Sequence, residues 1–204
     1  MTDATPASSK RLNTGNKRSS EAHSAVLEAA AALLAERGPN GLAMEAVARR
    51  AGVGKPTVYR WWPDKTDLIL ELFNKEILPP PPIPIDADLA TELKLRMHSL
   101  FESWRETPSG RVFCGLMVEL QATPETVTRL RDQALEPRRQ QSIKAFERAQ
   151  SRGEIPADAN LEALVDLLYG WAWYRLLTGQ LIPDAAFEAA LDAIAAGARG
   201  ARPA

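Results

Sequence analysis

Cysteine and histidine are scarce in this 204-residue chain. The single cysteine, Cys114, rules out an internal disulfide, which is typical of a protein from a reducing cytoplasm. The two histidines, His23 and His98, fall in different predicted domains, and neither H-E-x-x-H nor C-x-x-C occurs, so we expect no metal site. The nucleophile motif G-x-S-x-G is missing as well. These absences argue against an enzyme, and nothing in the chain indicates a cofactor.

Long apolar runs are also missing. No segment approaches the ~20 residues that span a membrane, and the first 20 residues, MTDATPASSKRLNTGNKRSS, lack the apolar core of a secretory signal. The chain has 45% apolar and 25% charged residues, an ordinary globular balance. We therefore expect a cytoplasmic protein with a disordered, mildly basic arm over residues 1–18.

Charge is unevenly distributed, although the formal net charge is only −1. Residues 1–65 contain ten Lys and Arg against six Asp and Glu, whereas residues 66–204 contain fifteen against twenty. A basic first part on an acidic remainder favours a polyanionic partner for the first part. Chance scatter is the alternative interpretation.

Strand patterns are missing too, and apolar residues recur with the helical period throughout. The sequence predicts an all-α fold in two domains. Residues 19–78 form a helix-turn-helix domain, the proline-rich segment PPPPIPI at 79–85 is a stiff extended linker, and residues 86–200 form a helical body. The predicted helices cover residues 20–37, 44–51, 55–62, 65–78, 86–106, 109–122, 125–152, 160–178 and 184–199, with a kink at Pro137.

The segment GVGKPTVYRWWPDK, residues 52–65, combines two glycines with a lysine and a threonine, as phosphate-binding loops do. The nucleotide loop G-x-x-x-x-G-K-[ST] is excluded, because Arg49 stands at its first glycine and Pro56 at its hydroxyl position. A dinucleotide-binding fingerprint would need a third glycine where Thr57 stands. We therefore do not expect this segment to bind the phosphates of a nucleotide.

A helix-turn-helix fits the same residues better. Helices at 44–51 and 55–62 are joined by a tight glycine turn at 52–54, and in such motifs the second helix enters the DNA major groove. Pro56 opens the second helix, and Asp64 is a suitable N-cap for the next one. Hydroxyl and cationic side chains of the kind that bind DNA phosphates surround the start of the second helix: Lys55, Thr57, Tyr59, Arg60 and Lys65.

The motif residues of this part resemble those of the TetR family of bacterial transcriptional regulators. The resemblance covers about residues 20–75, and looser matches follow at EPRR (136–139) and YRLLTG (174–179). The matching positions are Leu34 to Gly38, Val47-Ala48, Ala51-Gly52-Val53, Thr57-Val58-Tyr59, Trp62 and Asp64-Lys65. The resemblance implies a homodimer that binds a roughly palindromic operator and releases it when a small molecule binds in the body; the aromatic and methionine residues of the body favour a largely apolar effector.

By this resemblance, Thr57, Tyr59 and Lys65 would bind phosphates. The remaining predicted DNA-contacting residues are Gly54, Lys55, Pro56 and Arg60 in the groove, with Trp61 at the surface near DNA and Trp62 in the core. Two positions depart from the family pattern, because Ala43 replaces a capping threonine and Gly54 replaces a serine. Each loses a hydroxyl, and we expect backbone amides to compensate for the loss, with weaker DNA binding as the alternative.

Two clusters in the body have a core interpretation and a functional one. Apolar stripes on the last two helices form either core or a four-helix dimer interface, and the resemblance favours the interface. These stripes comprise Leu161, Leu164, Val165, Leu168, Ala172, Phe187, Ala190, Leu191 and Ile194. An aromatic and methionine set is either ordinary core or an effector pocket: Met97, Phe101, Trp104, Phe113, Met117, Tyr169 and Trp173.

We therefore predict a ligand-responsive DNA-binding regulator, specifically a repressor released from its operator by a small molecule. Two alternatives stay open from the sequence. One is a dimeric protein-interaction module without sequence-specific DNA binding, and the other is an activator of the same family.

Overall fold

The structure, a computed structural model, describes residues 9–38, 42–120 and 123–200, without the side chains of residues 9–18 and 116–120. These ranges contain helices and no strand, so the all-α prediction is confirmed. The helices are α1 (Ser9–Arg37), α2 (Met44–Ala51), α3 (Lys55–Trp61), α4 (Lys65–Glu76), α5 (Leu89–Glu106), α6 (Pro108–Leu120), α7 (Pro124–Leu130), α8 (Glu136–Ser151), α9 (Leu161–Leu177) and α10 (Ala185–Arg199), with a π-helical turn (Arg131–Leu135) between α7 and α8. No helix in these ranges is apolar over a length that would cross a bilayer.

Helix α1 begins earlier than predicted. Residues 1–8 of the predicted disordered arm lie outside the described residues, but the chain is helical from Ser9 onward. The sequence has no proline between Pro6 and Pro39 that would interrupt this helix. Its first turns carry almost only polar residues, so the apolar period that marks a helix in sequence is missing there.

The chain divides into two units, Met1–Leu72 and Phe73–Ala204, so the boundary falls within α4 and not in the predicted linker at 79–85. Hydrogen bonds of the last α4 residues explain the difference. Asn74 Nδ2 donates to the Gln133 carbonyl oxygen at 2.7 Å, and Ser109 Oγ donates to Glu76 at 2.6 Å. The proline segment itself is non-helical, as its composition requires.

The first unit encloses a small core at the contact of α1 with α2 and α3. Val26, Ala30 and Leu33 of α1 bury their side chains, as do Val47 of α2 and Val58 of α3. This core fixes the two short helices that flank the glycine turn.

In the second unit, α5 occupies the centre and packs against α6, α8 and α10. Its core is aromatic, with fully buried rings at Phe101, Phe113, Phe146 and Phe187.

Glu92 of α5 is a buried carboxylate of this unit, with only 1% of its surface exposed. It accepts hydrogen bonds from Arg96 Nε at 2.9 Å and from the Arg148 guanidinium. Burial opposes ionisation of Glu92, but the hydrogen bonds from Arg148 and Arg96 outweigh it and hold the carboxyl pKa below its usual value.

The predicted helix 125–152 is broken at the π-helical turn, just before Pro137. Proline has no N–H and therefore leaves the carbonyl four residues earlier without its helical donor. That carbonyl belongs to Gln133, and Asn74 donates to it instead. The next carbonyl oxygen, of Ala134, accepts from the Arg138 guanidinium. The break is thus stabilised by two polar side chains that the sequence analysis did not identify.

A buried arginine holds the connection between α9 and α10. Arg175, within the segment YRLLTG, donates through Nε to the Gln180 carbonyl at 2.9 Å and through Nη2 to the Ile182 carbonyl at 3.1 Å. It also contacts Asp184 at 3.3 Å, which caps α10 through the Phe187 N–H at 2.7 Å. This segment is therefore structural.

Candidate functional site

The turn between α2 and α3 has the backbone that its glycines permit. Gly52 ends α2 with φ 66°, in the left-handed region that favours glycine, and the Val53 N–H bonds to the Ala48 carbonyl at 3.0 Å. Gly54 is the N-cap of α3, and Pro56 lies in its first turn. The predicted helix-turn-helix geometry is therefore present, with α3 in the position of the second, DNA-reading helix.

The structure brings the predicted DNA-contacting residues together on α3 and at the start of α4. Six of the eight are exposed and two are half-buried, Thr57 and Trp61. The exposed six are Gly54, Lys55, Pro56, Tyr59, Arg60 and Lys65. Such a surface offers cations and hydroxyls to a phosphate backbone without unfolding any helix.

Glu45 of α2 lies beside this surface, and sequence analysis missed it. The Tyr59 hydroxyl donates to Glu45 Oε1 at 3.2 Å, and Lys55 Nζ lies 3.9 Å from the same oxygen. A hydrogen bond from its own backbone N–H, together with Tyr59 and Lys55, holds the Glu45 carboxyl pKa below its usual value. Partial burial and the Glu45 contact raise the pKa of Tyr59, which keeps the phenol protonated and able to donate. Glu45 thus orients both side chains through one carboxylate.

An aromatic cluster supports the end of α3. Trp62 is buried, as predicted, and its Nε1 donates to Glu71 at 2.7 Å. The Trp61 ring packs edge-on against His23 at 5.3 Å and against Trp62 at 5.6 Å. The Arg60 guanidinium lies 5.7 Å from the centre of the Trp61 ring. These contacts fix the direction in which Arg60 leaves the helix.

The N-caps of the three helices follow their sequences. Asp64 caps α4 by accepting from the backbone N–H groups of Thr66 at 2.7 Å and Asp67 at 3.2 Å, which agrees with the prediction. Neither Ala43, the N-cap of α2, nor Gly54, that of α3, makes a side-chain cap hydrogen bond. The missing cap at Ala43 agrees with the prediction, and Gly54 likewise leaves α3 without a side-chain cap.

Replacing Ala43 by threonine is expected to stabilise the first unit by about 1 kcal/mol, because the hydroxyl would cap α2. Ala43 is exposed and already has the extended conformation of an N-cap, φ −102° and ψ 133°. Urea denaturation followed by circular dichroism measures the effect. Gly54→Ser is the matched comparison, with a gain of only a few tenths of a kcal/mol, because glycine is itself a fair N-cap. An Ala43→Thr chain no more stable than wild type would disprove the capping argument.

Two neighbouring cavities are lined by described residues of the second unit. The larger cavity, about 50 Å³, has Ile77, Leu78 and Met97 among its lining residues. The smaller cavity, about 10 Å³, has an aromatic wall and provides space for roughly one water molecule. Leu100, Arg138 and Tyr169 line both cavities.

The predicted pocket residues divide between these cavities. Met97 lines the larger cavity and Tyr169 lines both. Phe101 does not line either of these two cavities, and its ring packs against Trp171 at 5.7 Å and Phe187 at 4.9 Å, which favours the core interpretation of this residue. The side chain of Met117 lies outside the described residues. The remaining three predicted residues line the smaller cavity: Trp104, Phe113 and Trp173.

Arg138 is the charged residue that lines both cavities, and its place in EPRR was the only feature of the sequence that drew attention to it. Its Nη2 donates to Asn74 Oδ1 at 3.0 Å, and its Cζ lies 4.6 Å from the centre of the Phe73 ring. Burial lowers the pKa of Arg138 to about 10. The buried Nε of Arg138 and the buried indole Nε1 of Trp104 have no hydrogen-bond partner among the described residues.

The predicted dimer residues mostly belong to the core. Six of the nine are buried within their own chain, which favours the core interpretation over the interface for them: Leu164, Val165, Leu168, Ala172, Phe187 and Leu191. The other three, Leu161, Ala190 and Ile194, are half-buried.

Helices α9 and α10 also carry an apolar outer face, which is exposed in the structure. It comprises Ala163, Leu167, Gly170, Tyr174 and Leu177 of α9 and Ala186, Ala189, Ala193 and Ala196 of α10.

No group of three or more His, Cys, Asp or Glu side chains suited to a metal ion occurs in the part of the chain that the structure describes. Cys114 is isolated, and burial raises the pKa of its thiol to about 12. The sites with functional character are therefore the α3 surface, the two cavities and the apolar outer face.

Comparison with known proteins gives matches over both units. The family described as "Bacterial regulatory proteins, tetR family" matches residues 26–72, and the family "Tetracyclin repressor-like, C-terminal domain" matches residues 83–194. The uncharacterised helix-turn-helix regulator YdeS of Bacillus subtilis is 31% identical over 173 residues, which is 83% of this chain and 86% of YdeS. The uncharacterised regulator Rv1556 of Mycobacterium tuberculosis is 33% identical over 70% of each chain.

Among solved structures, the TetR family regulator SCO0332 superimposes with a TM-score of 0.71 at 29% identity. The match covers 87% of this chain and 98% of SCO0332. The similarity thus extends over nearly the whole of both proteins.

Proposed function

The chain belongs to the TetR family of bacterial transcriptional regulators, and from this premise we propose that it is a homodimeric repressor released from its operator by a small molecule. The family is one of DNA-binding regulators and not of enzymes. The observation that carries the proposal is the joint presence of an exposed α3 surface in the first unit and of cavities lined by apolar side chains and the buried Arg138 in the second.

The α3 surface supports DNA binding through two kinds of contact. Lys55, Arg60 and Lys65 are exposed cations that lower the free energy of binding to a polyanion. Thr57 and Tyr59 carry hydroxyls that donate to phosphate oxygens. Binding would transfer Lys55 and Tyr59 from Glu45 to phosphate, so Glu45 competes with DNA for the same donors.

The apolar outer face supports a homodimer. Residues 163, 167, 170, 174 and 177 of α9 repeat at alternating spacings of four and three, which is the spacing of a helix seam. Leu167, at 63% exposure, projects a large apolar side chain from this seam. Two such α9–α10 pairs related by a two-fold axis would form a four-helix interface.

Release by a ligand follows from geometry. Two reading helices enter successive major grooves only when they lie about one DNA turn apart, ~34 Å or a multiple of it. A ligand that binds more tightly to a dimer with another spacing must lower operator affinity by the same free energy. The cavities of the second unit are the proposed site of that ligand.

Lys65→Ala and Lys55→Ala are expected to weaken operator binding and reduce its dependence on salt. Each lost phosphate contact decreases the slope of log K against log salt by about one unit, so a dimer that loses two decreases it by about two. Fluorescence anisotropy at several salt concentrations measures the slope. Lys144→Ala, an exposed cation of α8, is the matched control and is expected to keep the wild-type slope. An unchanged slope in Lys65→Ala would remove that residue from the DNA contacts.

The direction of regulation is tested separately. DNA from upstream of the chain's own coding sequence is examined by gel shift, and a reporter joined to the same DNA measures transcription. We expect a salt-sensitive specific shift and increased transcription when the regulator is deleted. Decreased transcription on deletion would indicate an activator, and a folded dimer without a specific shift would indicate an interaction module.

A further inference from the structure

Helix α1 begins well before the part of it that packs into the first unit. The helix starts at Ser9, whereas Val26 is the first buried residue among residues 19–37. Residues 19–21 are exposed. We call residues 9–21 the α1 extension, and at 1.5 Å per residue it is about 20 Å long. The core described for the first unit is built from residues that follow this extension.

The excess positive charge of the first part of the chain lies in the α1 extension. Residues 9–20 contain four Lys and Arg and no Asp or Glu, whereas residues 21–65 contain six Lys and Arg against five Asp and Glu. Glu21, the nearest acidic residue along the helix, can neutralise only one of the four cations. Solubility alone does not account for the sign of the charge, because Asp and Glu serve solubility better than Lys and Arg.

The four cationic positions share one side of the helix. Two adjacent cations recur after seven residues: Lys10 and Arg11, then Lys17 and Arg18. Seven residues make nearly two full turns, so the four positions fall within about 120° of the helix circumference. The extension thus carries a basic stripe about 12 Å long. Lys and Arg clustered along one side of a helix are typical of a surface that binds nucleic acid.

The α1 extension ends beside the proposed DNA-contacting surface. The ring of His23, two residues further along α1, lies 5.3 Å from the ring of Trp61 and 4.6 Å from that of Trp62, at the end of α3. The Arg60 guanidinium lies 5.7 Å from the centre of the same Trp61 ring. Arg18 precedes His23 by only about 7.5 Å along the helix axis. A DNA duplex bound to α3 is therefore the polyanion nearest to the basic stripe.

We propose that the α1 extension is a second DNA-binding element, in which Lys10, Arg11, Lys17 and Arg18 bind the phosphates that flank each operator half-site. Lys10 precedes His23 by about 20 Å, which corresponds to about six base pairs at ~3.4 Å each, so the stripe reaches beyond the segment that α3 contacts. Phosphate contacts carry no sequence information, so the element adds affinity without changing the preferred sequence. This inference rests on the proposed DNA-binding function.

The first test removes the four charges from the full-length protein by combining Lys10→Gln, Arg11→Gln, Lys17→Gln and Arg18→Gln. Glutamine has nearly the helix propensity of lysine and arginine, so the helix is retained. The probe is an operator that the wild-type protein selects from random DNA duplexes, with about ten base pairs of unrelated sequence added on each side. If two cations of each chain contact phosphates, the slope of log K against log salt decreases by about four units for a dimer. We expect at least this decrease by fluorescence anisotropy, with a similar loss of affinity for unrelated DNA.

The matched control changes the net charge equally but in the second unit. It replaces four exposed cations by glutamine: Arg131, Lys144, Arg152 and Arg199. We expect this variant to keep the wild-type slope within about one unit. Thermal melts verify that both variants fold. A wild-type slope in the α1 variant overturns the proposal, and so does an equal decrease in the control, because the effect would then belong to net charge.

The length of the DNA tests where the cations bind. When the operator is trimmed to the outer edges of its half-sites, the wild-type protein is expected to lose about tenfold or more in affinity, because the flanking phosphates are gone. The α1 variant should lose much less. Equal losses in the two proteins would place the cations within the half-site and overturn the flanking contact.

The wild-type protein separates this inference from the proposed function. If it selects no sequence from random DNA, the proposed DNA binding fails, and this inference fails with it. If it binds a selected operator and the α1 variant binds that operator equally well, only this inference fails.

Discussion

Leu167→Glu is expected to convert the proposed dimer into a monomer and to lower operator affinity at least about 100-fold. Leu167 lies in the middle of the exposed seam on α9, so a two-fold axis through that seam places the two introduced carboxylates near each other. Two like charges in a low-dielectric interface raise the free energy of the dimer by several kcal/mol. Each carboxylate also loses its hydration in the interface. The monomer retains one reading helix and loses the second half-site, which is why DNA binding falls with dimerisation. Light scattering coupled to size exclusion measures the mass, and anisotropy measures the affinity.

Ile85→Glu is the control for that experiment. Ile85 is 99% exposed and lies in the non-helical proline segment, so the same change of an exposed aliphatic residue to a charge is made away from the seam. We expect it to remain a dimer with wild-type affinity. A dimeric Leu167→Glu with unchanged DNA binding would place the interface on another surface.

Glu92→Ala is expected to destabilise the second unit by about 3 kcal/mol or more. The substitution leaves Arg96 and Arg148 facing a buried position without their carboxylate, and breaking a buried pair from one side costs about 3–5 kcal/mol. Arg148 is itself exposed and is able to turn toward water. The expected loss of stability therefore lies at the lower end of this range. Urea denaturation measures it. Glu102→Ala, on the exposed face of the same helix, should change stability by no more than about 0.5 kcal/mol.

The Glu92 carboxylate also makes the stability of the protein depend on pH. Because the folded pKa of Glu92 lies below its usual value, its contribution is fully present above the unfolded-state pKa and is lost as the pH falls through the folded pKa. We therefore expect wild-type stability to decline in acid more steeply than that of Glu92→Gln. Equal acid dependence in the two proteins would mean that Glu92 is not the group responsible.

Local signals were sufficient to predict the helix-turn-helix of the first unit and the cap of α4. The turn at Gly52, the proline in the first turn of α3 and the cap at Asp64 depend on residues within a few positions of each other, and all three were predicted correctly. Glu45 was missed because its contact with Tyr59 joins residues 14 positions apart, on two different helices. Periodicity describes one helix at a time and does not report such pairs.

The second unit was harder to predict, for a reason visible in α9. This helix is apolar on both sides, with Leu164 and Leu168 in the core and Leu167 and Leu177 outside. The apolar period shows that stripes exist but does not tell which stripe faces inward, so the core stripe was assigned to the interface. Glu92 and Arg138 were missed because their partners, Arg148 and Asn74, are 56 and 64 positions away.

The alanines on the outer face of α10 influence how selective pairing between chains can be. Alanine has no side-chain rotamers to immobilise, so Ala186, Ala189, Ala193 and Ala196 would join an interface without a side-chain entropy cost. They also form a nearly flat surface, which offers a partner little shape to recognise. The chain must then distinguish a second copy of itself from the subunit of a related regulator in the same cell by its larger α9 residues, Leu167, Tyr174 and Leu177. Exchanging those three between two such regulators is the smallest change that would let them form mixed dimers.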